Sequence, residues 1–231
     1  MSRRSLIITC EHAGNEIPEN YKYLFKNADD EIKSHRGWDP GAANVASAMG
    51  AALGIPVFLH TTSRLLVEAN RSLKSPQLFS EYGKELEPSV KTFILDKYYH
   101  PYRKAVVASV NKAIENHFEV AHFSIHSFTP IWEGKRRTTD IGILYDPDRK
   151  PEAKIALQLQ AKLQALAPLL TIDLNEPYKG TDDGFTTYLR KQYPIKDYSG
   201  IEIEINQRFH FNKELTSIGF LLQQGLASLK Q

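Results

Sequence analysis

Residues 5–15 read SLIITCEHAGN, and this stretch decides the fold. Residues 5–10 form a continuous apolar run with β-branched side chains in its middle, which is typical of a strand buried inside a sheet. Two polar residues, Glu11 and His12, follow directly and lead into a turn of small residues. A buried strand that ends in such residues predicts a sheet that carries its functional groups at the strand ends.

The same strand-like pattern recurs along the chain, separated by helical patterns. Further strands are predicted at residues 56–60, 120–126, 140–145, 169–174 and 200–206. Helices are predicted at residues 39–53, 87–116 with a break or restart at Pro101, 151–166 and 212–230. This alternation predicts the α/β class, a parallel or mixed sheet with helices on both faces. No repeat or linker interrupts it, so we expect a single domain over residues 1–231.

Composition excludes several classes of partner. The 231 residues carry 29 Lys and Arg against 27 Asp and Glu, a net charge of +2, which lacks the basic excess expected of a nucleic-acid binder. No apolar run approaches the roughly 18 residues of a membrane span. The lone cysteine, Cys10, allows no internal disulfide, and the first residues lack the features of a signal peptide. We therefore expect a cytoplasmic protein without nucleic-acid or membrane partners, of undetermined oligomeric state.

Two histidines and several charged residues follow the predicted strands. His12 follows the first strand, His126 ends the strand at 120–126, and Glu204 lies on the last strand. The carboxyl ends of neighbouring parallel strands meet at one edge of a sheet, so these side chains are expected to converge. Two imidazoles and a carboxylate are a common catalytic zinc set. We therefore predict one Zn²⁺, or another divalent cation, per chain, although no HExxH or CxxC spacing is present.

Five short motifs occur in order along most of the chain: residues 10–18 (CEHAGNEIP), 37–42 (GWDPGA), 63–71 (SRLLVEANR), 126–128 (HSF) and 204–208 (EINQR). Together they resemble the motifs of the N-formylglutamate amidohydrolase family, which is related to the zinc carboxypeptidase and aspartoacylase fold. The resemblance implies a zinc-carboxypeptidase-like domain that hydrolyses the amide of an N-acyl acidic amino acid such as N-formyl-L-glutamate. Two residues depart from the family pattern: Glu68 stands in place of Asp, and Arg103 stands where His is common.

The predicted metal ligands are His12, His126 and a carboxylate. Asp39 is preferred as the third ligand, but it is equally suited to capping the following helix through its side chain. Alternatives near His12 are Glu11, Glu16 and Asn15.

The remaining assignments concern catalysis and substrate. Glu204 is predicted to be the general base and Arg64 to stabilise the developing oxyanion. Asn70 and Arg71 are predicted to hold the substrate carboxylate, with Ser127 nearby. Two other functions remain open, namely hydrolysis of another N-acyl amino acid or small peptide-like amide, and non-catalytic binding of small acidic ligands. Bound zinc would favour the enzyme over the binding protein, because a site that only binds an acidic ligand needs no metal.

Overall fold

A computed structural model of the chain describes residues 3–229. Its strands are β1 (Arg4–Cys10), β2 (Val57–Leu59), β3 (Glu119–Phe128), β4 (Ile131–Trp132), β5 (Lys135–Arg136), β6 (Ile141–Leu144), β7 (Ile172–Leu174) and β8 (Tyr198–Asn206). Its α-helices are α1 (Asp29–Lys33), α2 (Ala42–Leu53), α3 (Pro88–Ile94), α4 (His100–Glu115), α5 (Lys150–Leu166), α6 (Phe185–Gln192), α7 (Arg208–Phe211) and α8 (Leu215–Ala227).

Six strands form one sheet in the order β2-β1-β3-β8-β6-β7, and β4 pairs with β5 in a separate hairpin. Strands β2, β1, β3 and β8 are parallel, whereas β6 is antiparallel to β8 and parallel to β7. Helices α2, α5 and α8 cover one face, and α4 and α6 cover the other. The predicted α/β class, a sheet with helices on both faces, is confirmed, and the sheet is mixed.

Strands β3 and β8 have one apolar and one polar face at their carboxyl ends. Phe123, Ile125 and Ile203 pack into the core beneath α2, α5 and α8. The intervening residues include His126 and Glu204, which are paired in register across the two strands. Because successive side chains alternate between faces, the polar set lies on the opposite side of the sheet.

Most predicted elements are present, with shifted ends. The first helical prediction began at Asp39, but α2 starts at Ala42 after Gly41, whose φ of 86° ends the preceding turn. The break or restart predicted at Pro101 takes the form of a restart: α3 ends at Ile94, a π-helical turn covers Leu95–Tyr99, and α4 begins at His100 with Pro101 in its first turn. The π-helical turn before it accommodates the proline, which has no N–H to donate to the preceding turn.

Other boundaries differ for local reasons. Strand β7 begins three residues later than predicted, because Leu169 lies in an exposed turn. Helix α8 begins at Leu215, and its predicted end at residue 230 lies outside the described residues. The sequence reasoning missed the β4–β5 hairpin, a 3₁₀ helix (Glu19–Phe25) and three α-helices, α1, α6 and α7.

A second, smaller apolar cluster supports the segment that follows β2. Leu65, Leu66 and Val67 are buried against Tyr21 and Ile94. This packing anchors residues 63–71, the segment that contains the predicted substrate-binding residues.

Between residues 3 and 229, no helix is both long and apolar enough to cross a lipid bilayer. The cytoplasmic location stays a prediction.

Candidate metal centre and active site

His12, Asp39 and His126 converge at the carboxyl ends of β1 and β3. Oδ2 of Asp39 lies 3.2 Å from Nδ1 of His12 and 2.9 Å from Nδ1 of His126. One ligand atom from each residue lies within 4.8 Å of the others, and all three side chains are buried. The structure therefore brings together the predicted metal ligands.

Backbone contacts place Asp39 in this cluster. Its N–H donates to the carbonyl of His12 at 3.0 Å, which ties the loop before α2 to the end of β1. The N–H of Ser127 donates to Oδ2 of Asp39 at 3.2 Å. Asp39 does not cap α2 through its side chain, because the N-cap position is Gly41 and no side-chain capping bond forms there.

Each histidine meets a second carboxylate through its other ring nitrogen. Nε2 of His12 lies 2.5 Å from Oε1 of Glu68, and Nε2 of His126 lies 3.2 Å from Oε2 of Glu11. With a metal bound, the ring protons would reside on Nε2, next to these carboxylates, and the Nδ1 lone pairs would be free for the metal. Carboxylate–histidine pairs of this kind orient metal-ligating imidazoles in many zinc sites. Two imidazole nitrogens and a carboxylate oxygen, supported in this way, fit a zinc ion.

The alternative third ligands face elsewhere. Glu11 contacts the Nε2 side of His126 and accepts a hydrogen bond from the hydroxyl of Tyr102 at 2.8 Å. Glu16 accepts a hydrogen bond from a neighbouring threonine near the surface, and Asn15 donates to a backbone carbonyl. Of the four candidates, only Asp39 approaches both Nδ1 atoms.

The charges of the cluster reinforce one another. Burial opposes ionisation of Asp39, but the two histidines outweigh it and hold its pKa well below the usual range. Burial and Arg64 disfavour a charged His12, yet Glu68 and Asp39 raise the pKa of this imidazole. The pKa of Glu68 is lowered although the carboxylate is buried, chiefly by Arg64 and His12. This environment favours positive charge between the carboxylates.

Glu204 lies beside this cluster on β8. Its side chain is 6% exposed, and Oε2 has no hydrogen-bond partner among the described residues. Burial raises the pKa of Glu204 to about 7, and Asp39 and Glu202 add to the rise against the opposing charge of His126. A carboxyl group with a pKa near neutrality and a free oxygen is suited to general acid–base catalysis.

Arg64 lies at the edge of the cluster. Its Nε and Nη2 atoms bind Oε2 of Glu68 at 2.8 and 2.6 Å, and Nη1 lies 3.4 Å from Oδ1 of Asp39. The guanidinium therefore orients two carboxylates of the site while also lining its pocket. Its predicted role in stabilising an oxyanion stays a prediction.

A cavity of about 180 Å³ opens beside His12, Asp39, His126 and Glu204. Its other lining residues are Arg64, Asn70, Arg71, Ser127, Leu144, Tyr178, Lys179, Asp182, Asp183 and Glu202. Every predicted site residue therefore lines this one cavity.

The predicted substrate-binding residues are held by hydrogen bonds to backbone groups. Oδ1 of Asn70 accepts a hydrogen bond from the N–H of Phe185 at 2.7 Å. Nη1 of Arg71 donates to the carbonyl of Asp183 at 2.8 Å. The hydroxyl of Ser127 donates to the carbonyl of Pro40 at 3.0 Å, so it is engaged within the protein. All three residues reach the cavity, and their contact with a substrate stays a prediction.

Sequence reasoning missed part of the site. The sequence predicts Glu11 only as an alternative metal ligand, and it marks Glu68 only as a departure from the family motif. Their position next to the predicted histidine and arginine motifs was a usable signal, because metal-ligating histidines generally need carboxylate or carbonyl partners. Tyr178, Lys179 and Asp182 carried no comparable signal, since they occupy an irregular segment between β7 and α6.

The fold and these side chains define a hydrolase built on a mixed α/β sheet. The chain belongs to the N-formylglutamate amidohydrolase family, whose sequence model matches residues 4–211. It is therefore an amidohydrolase by family.

Two solved structures are similar over the whole chain. A gene product of Agrobacterium tumefaciens is 26% identical with a TM-score of 0.81, and the match covers 100% of this chain and 93% of that one. The N-formylglutamate amidohydrolase of Ralstonia eutropha is 17% identical with a TM-score of 0.69, over 100% and 95% of the two chains. A comparison with curated proteins finds no match.

Proposed function

We propose that this chain is a zinc-dependent amidohydrolase that cleaves N-formyl-L-glutamate, or a closely related N-acyl acidic amino acid, into the acid and the free amino acid. The observation that carries the proposal is the paired arrangement of His12 and His126. Their Nδ1 atoms face Asp39, their Nε2 atoms meet buried carboxylates, and Glu204 lies beside them.

Residues of the cavity supply the other requirements of the reaction. Zinc held by His12, Asp39 and His126 would polarise the substrate carbonyl and make the attacking water more acidic. Glu204 accepts a proton from that water and delivers it to the nitrogen of the leaving amine. Arg64 contributes positive charge at the edge of the cavity, where charge develops on the carbonyl oxygen.

Asn70 and Arg71 select an acidic amino acid. Arg71 offers the Nη2 side of its guanidinium to a carboxylate. Its Nε donates to Gln77 and its Nη1 to the carbonyls of Asn70 and Asp183, which fixes the side chain in the wall of the cavity. Asn70 lies against the same wall through its contact with Phe185. Holding the substrate carboxylate here orients the scissile amide towards Glu204.

The test is a metal determination on purified protein, followed by measurement of formate and glutamate released from N-formyl-L-glutamate with and without a chelator. We expect about one zinc per chain and release that stops on chelation and returns with added zinc. Bound zinc without release would refute this substrate and direct the search to other N-acyl amino acids or small peptide-like amides. Protein that contains no metal and gains no activity when zinc is added would refute the proposal of an enzyme. That outcome would favour a binding protein for small acidic ligands.

A further inference from the structure

A second cavity lies on the other side of the loop that contains Arg71. Its volume is about 500 Å³, and it is lined by residues 72–74, by one side of α4 and by part of α6. Asp183 lines both this groove and the active-site cavity. The two spaces are therefore neighbours, separated by the bridge in which Ser72 donates to Oδ2 of Asp183 from its N–H and its hydroxyl, both at 3.1 Å.

The groove is rich in unpaired positive charge. Lys74, Lys104 and Lys191 line it, and within residues 3–229 their ammonium groups make no ion pair or hydrogen bond. The one carboxylate among the lining residues is Asp183, which already accepts two hydrogen bonds from Ser72. Three lysine ammonium groups and one carboxylate that already accepts two hydrogen bonds give the groove an excess of positive charge. Such an excess attracts an anion with more than one negative charge.

Arg103 forms the buried part of the same groove. Its guanidinium lies 4.8, 4.3 and 4.4 Å from the ring centres of Tyr99, Phe185 and Tyr188. Nη1 donates to the carbonyls of Ala69 at 3.2 Å and Arg71 at 3.1 Å. Nη2 has no partner in the part of the chain that the structure describes, although Arg103 is 5% exposed. The three aromatic rings partner the cation inside the protein, so Arg103 fixes the floor of the groove and leaves the exposed lysines to meet a ligand.

Apolar surface in the groove favours a peptide-like ligand. Leu73 is 53% exposed and Tyr188 is 39% exposed. They offer contact to the methylene groups of acidic side chains, while the lysines meet the carboxylates. Arg103 also donates to the carbonyl of Arg71, so the groove adjoins Asn70 and Arg71, which form the proposed substrate clamp.

We propose that this groove binds an acidic extension of the substrate, so that the preferred substrate is an N-acyl acidic peptide rather than a single N-acyl amino acid. This inference rests on the proposed function. Arg71 and Asn70 hold the residue next to the scissile amide. The further carboxylates cross the Ser72–Asp183 bridge and lie among Lys74, Lys104 and Lys191.

The test compares kcat/KM for N-formylglutamate and N-formyl-triglutamate on the zinc-loaded full chain. We expect wild-type protein to prefer the tripeptide by about tenfold at low salt, since exposed ion pairs contribute about twofold to fivefold each. The triple variant Lys74→Gln, Lys104→Gln, Lys191→Gln should lose this preference and retain its turnover of N-formylglutamate. A matched triple variant of exposed lysines away from both cavities, at Lys26, Lys154 and Lys162, should behave as wild type.

Salt and direct binding provide independent readouts. The preference should decline as ionic strength rises, because exposed charges are screened over about 8 Å at physiological salt. Calorimetry with unacylated triglutamate measures the groove without hydrolysis. Triglutamate binding that depends on the three lysines would support the groove even if N-formylglutamate were not cleaved. Failure of the groove proposal and failure of the proposed hydrolysis are therefore distinguishable.

Three results would overturn the inference. They are equal kcat/KM for the two substrates in wild-type protein, a preference that survives the groove triple variant, and lysine-dependent binding of inorganic pyrophosphate without binding of triglutamate.

Discussion

Glu68 and His12 form a buried pair in which Oε1 of the carboxylate lies 2.5 Å from Nε2 of the imidazole. The other carboxylate oxygen of Glu68 binds Arg64 at 2.6 Å. Glu68 therefore connects the proposed metal-binding face of the site to the segment that contains the proposed substrate-binding residues. The longer side chain at a position where the family motif has Asp still reaches the imidazole.

Replacing Glu68 by Gln should weaken zinc binding by about 10- to 100-fold, since carboxylates that support metal-ligating histidines contribute on this scale. The loss of charge removes the electrostatic support that keeps His12 oriented. Competition with a chromophoric chelator measures the affinity. The control is Glu16→Gln, which alters an exposed carboxylate that does not touch the histidines. Unchanged zinc affinity in Glu68→Gln would contradict the role given to this pair.

Glu204→Gln should lower kcat by about 10²- to 10⁴-fold, the range for loss of a general base. Zinc content should stay at the wild-type level, because Glu204 is not among the three clustered ligands. Steady-state kinetics and metal determination on the same sample test both statements. Glu202→Gln, on the same face of β8, is the matched control and should retain far more activity. A fully active Glu204→Gln enzyme would exclude this base.

The activity should depend on pH through Glu204. Burial raises the pKa of this carboxyl group to about 7, and the base is the ionised form. Consequently kcat/KM should fall as pH drops through the pKa and level off above it. A bound cation stabilises the carboxylate, so the midpoint of the zinc-loaded enzyme should lie at or below that value. The pH profile of Glu204→Gln should lack this fall in kcat/KM at low pH. The same fall in the variant would show that another group titrates.

Arg71→Lys should reduce kcat/KM for an acidic substrate by about 10-fold or more, since a hydrogen bond to a charged group contributes about 1.5–3 kcal/mol. Lysine keeps the charge but lacks the Nε and Nη1 donors that hold the guanidinium against Gln77 and Asp183, so its ammonium group is not fixed in the wall of the cavity. The effect should appear mainly in KM, because the carboxylate is held equally before and during the reaction. Arg36→Lys, in a surface pair with Glu81, is the control. Equal KM values in Arg71→Lys and wild type would remove Arg71 from the clamp.

Arg103→Leu should lower the free energy of unfolding by about 1–3 kcal/mol, because two backbone carbonyls lose a buried donor. Chemical denaturation measures this change. Arg36→Leu, which removes an exposed ion pair, should cost no more than about 1 kcal/mol. Comparable losses in the two variants would show that the buried contacts of Arg103 contribute little.

Local pattern was enough to predict much of the fold. The alternating residues of β8 identify a strand because polarity repeats along a half-buried strand with a period of two residues, and the continuous apolar run of β1 is typical of a strand buried on both faces. Helix α5 was predicted within one residue at its start, since one stripe of its surface packs against the sheet. The start of α2 was predicted too early, at Asp39, because the turn at Gly41 depends on neighbouring elements.

The sequence by itself also determined that His12 and His126 lie at strand ends, since that follows from position within each strand. Only the tertiary structure decided that Asp39, rather than Glu11, Glu16 or Asn15, approaches both imidazoles. It likewise decided that Glu68 supports His12, which is 56 residues away along the chain. Such choices depend on which loops pack together over the sheet edge. Packing between segments far apart in sequence leaves no periodic trace in either segment.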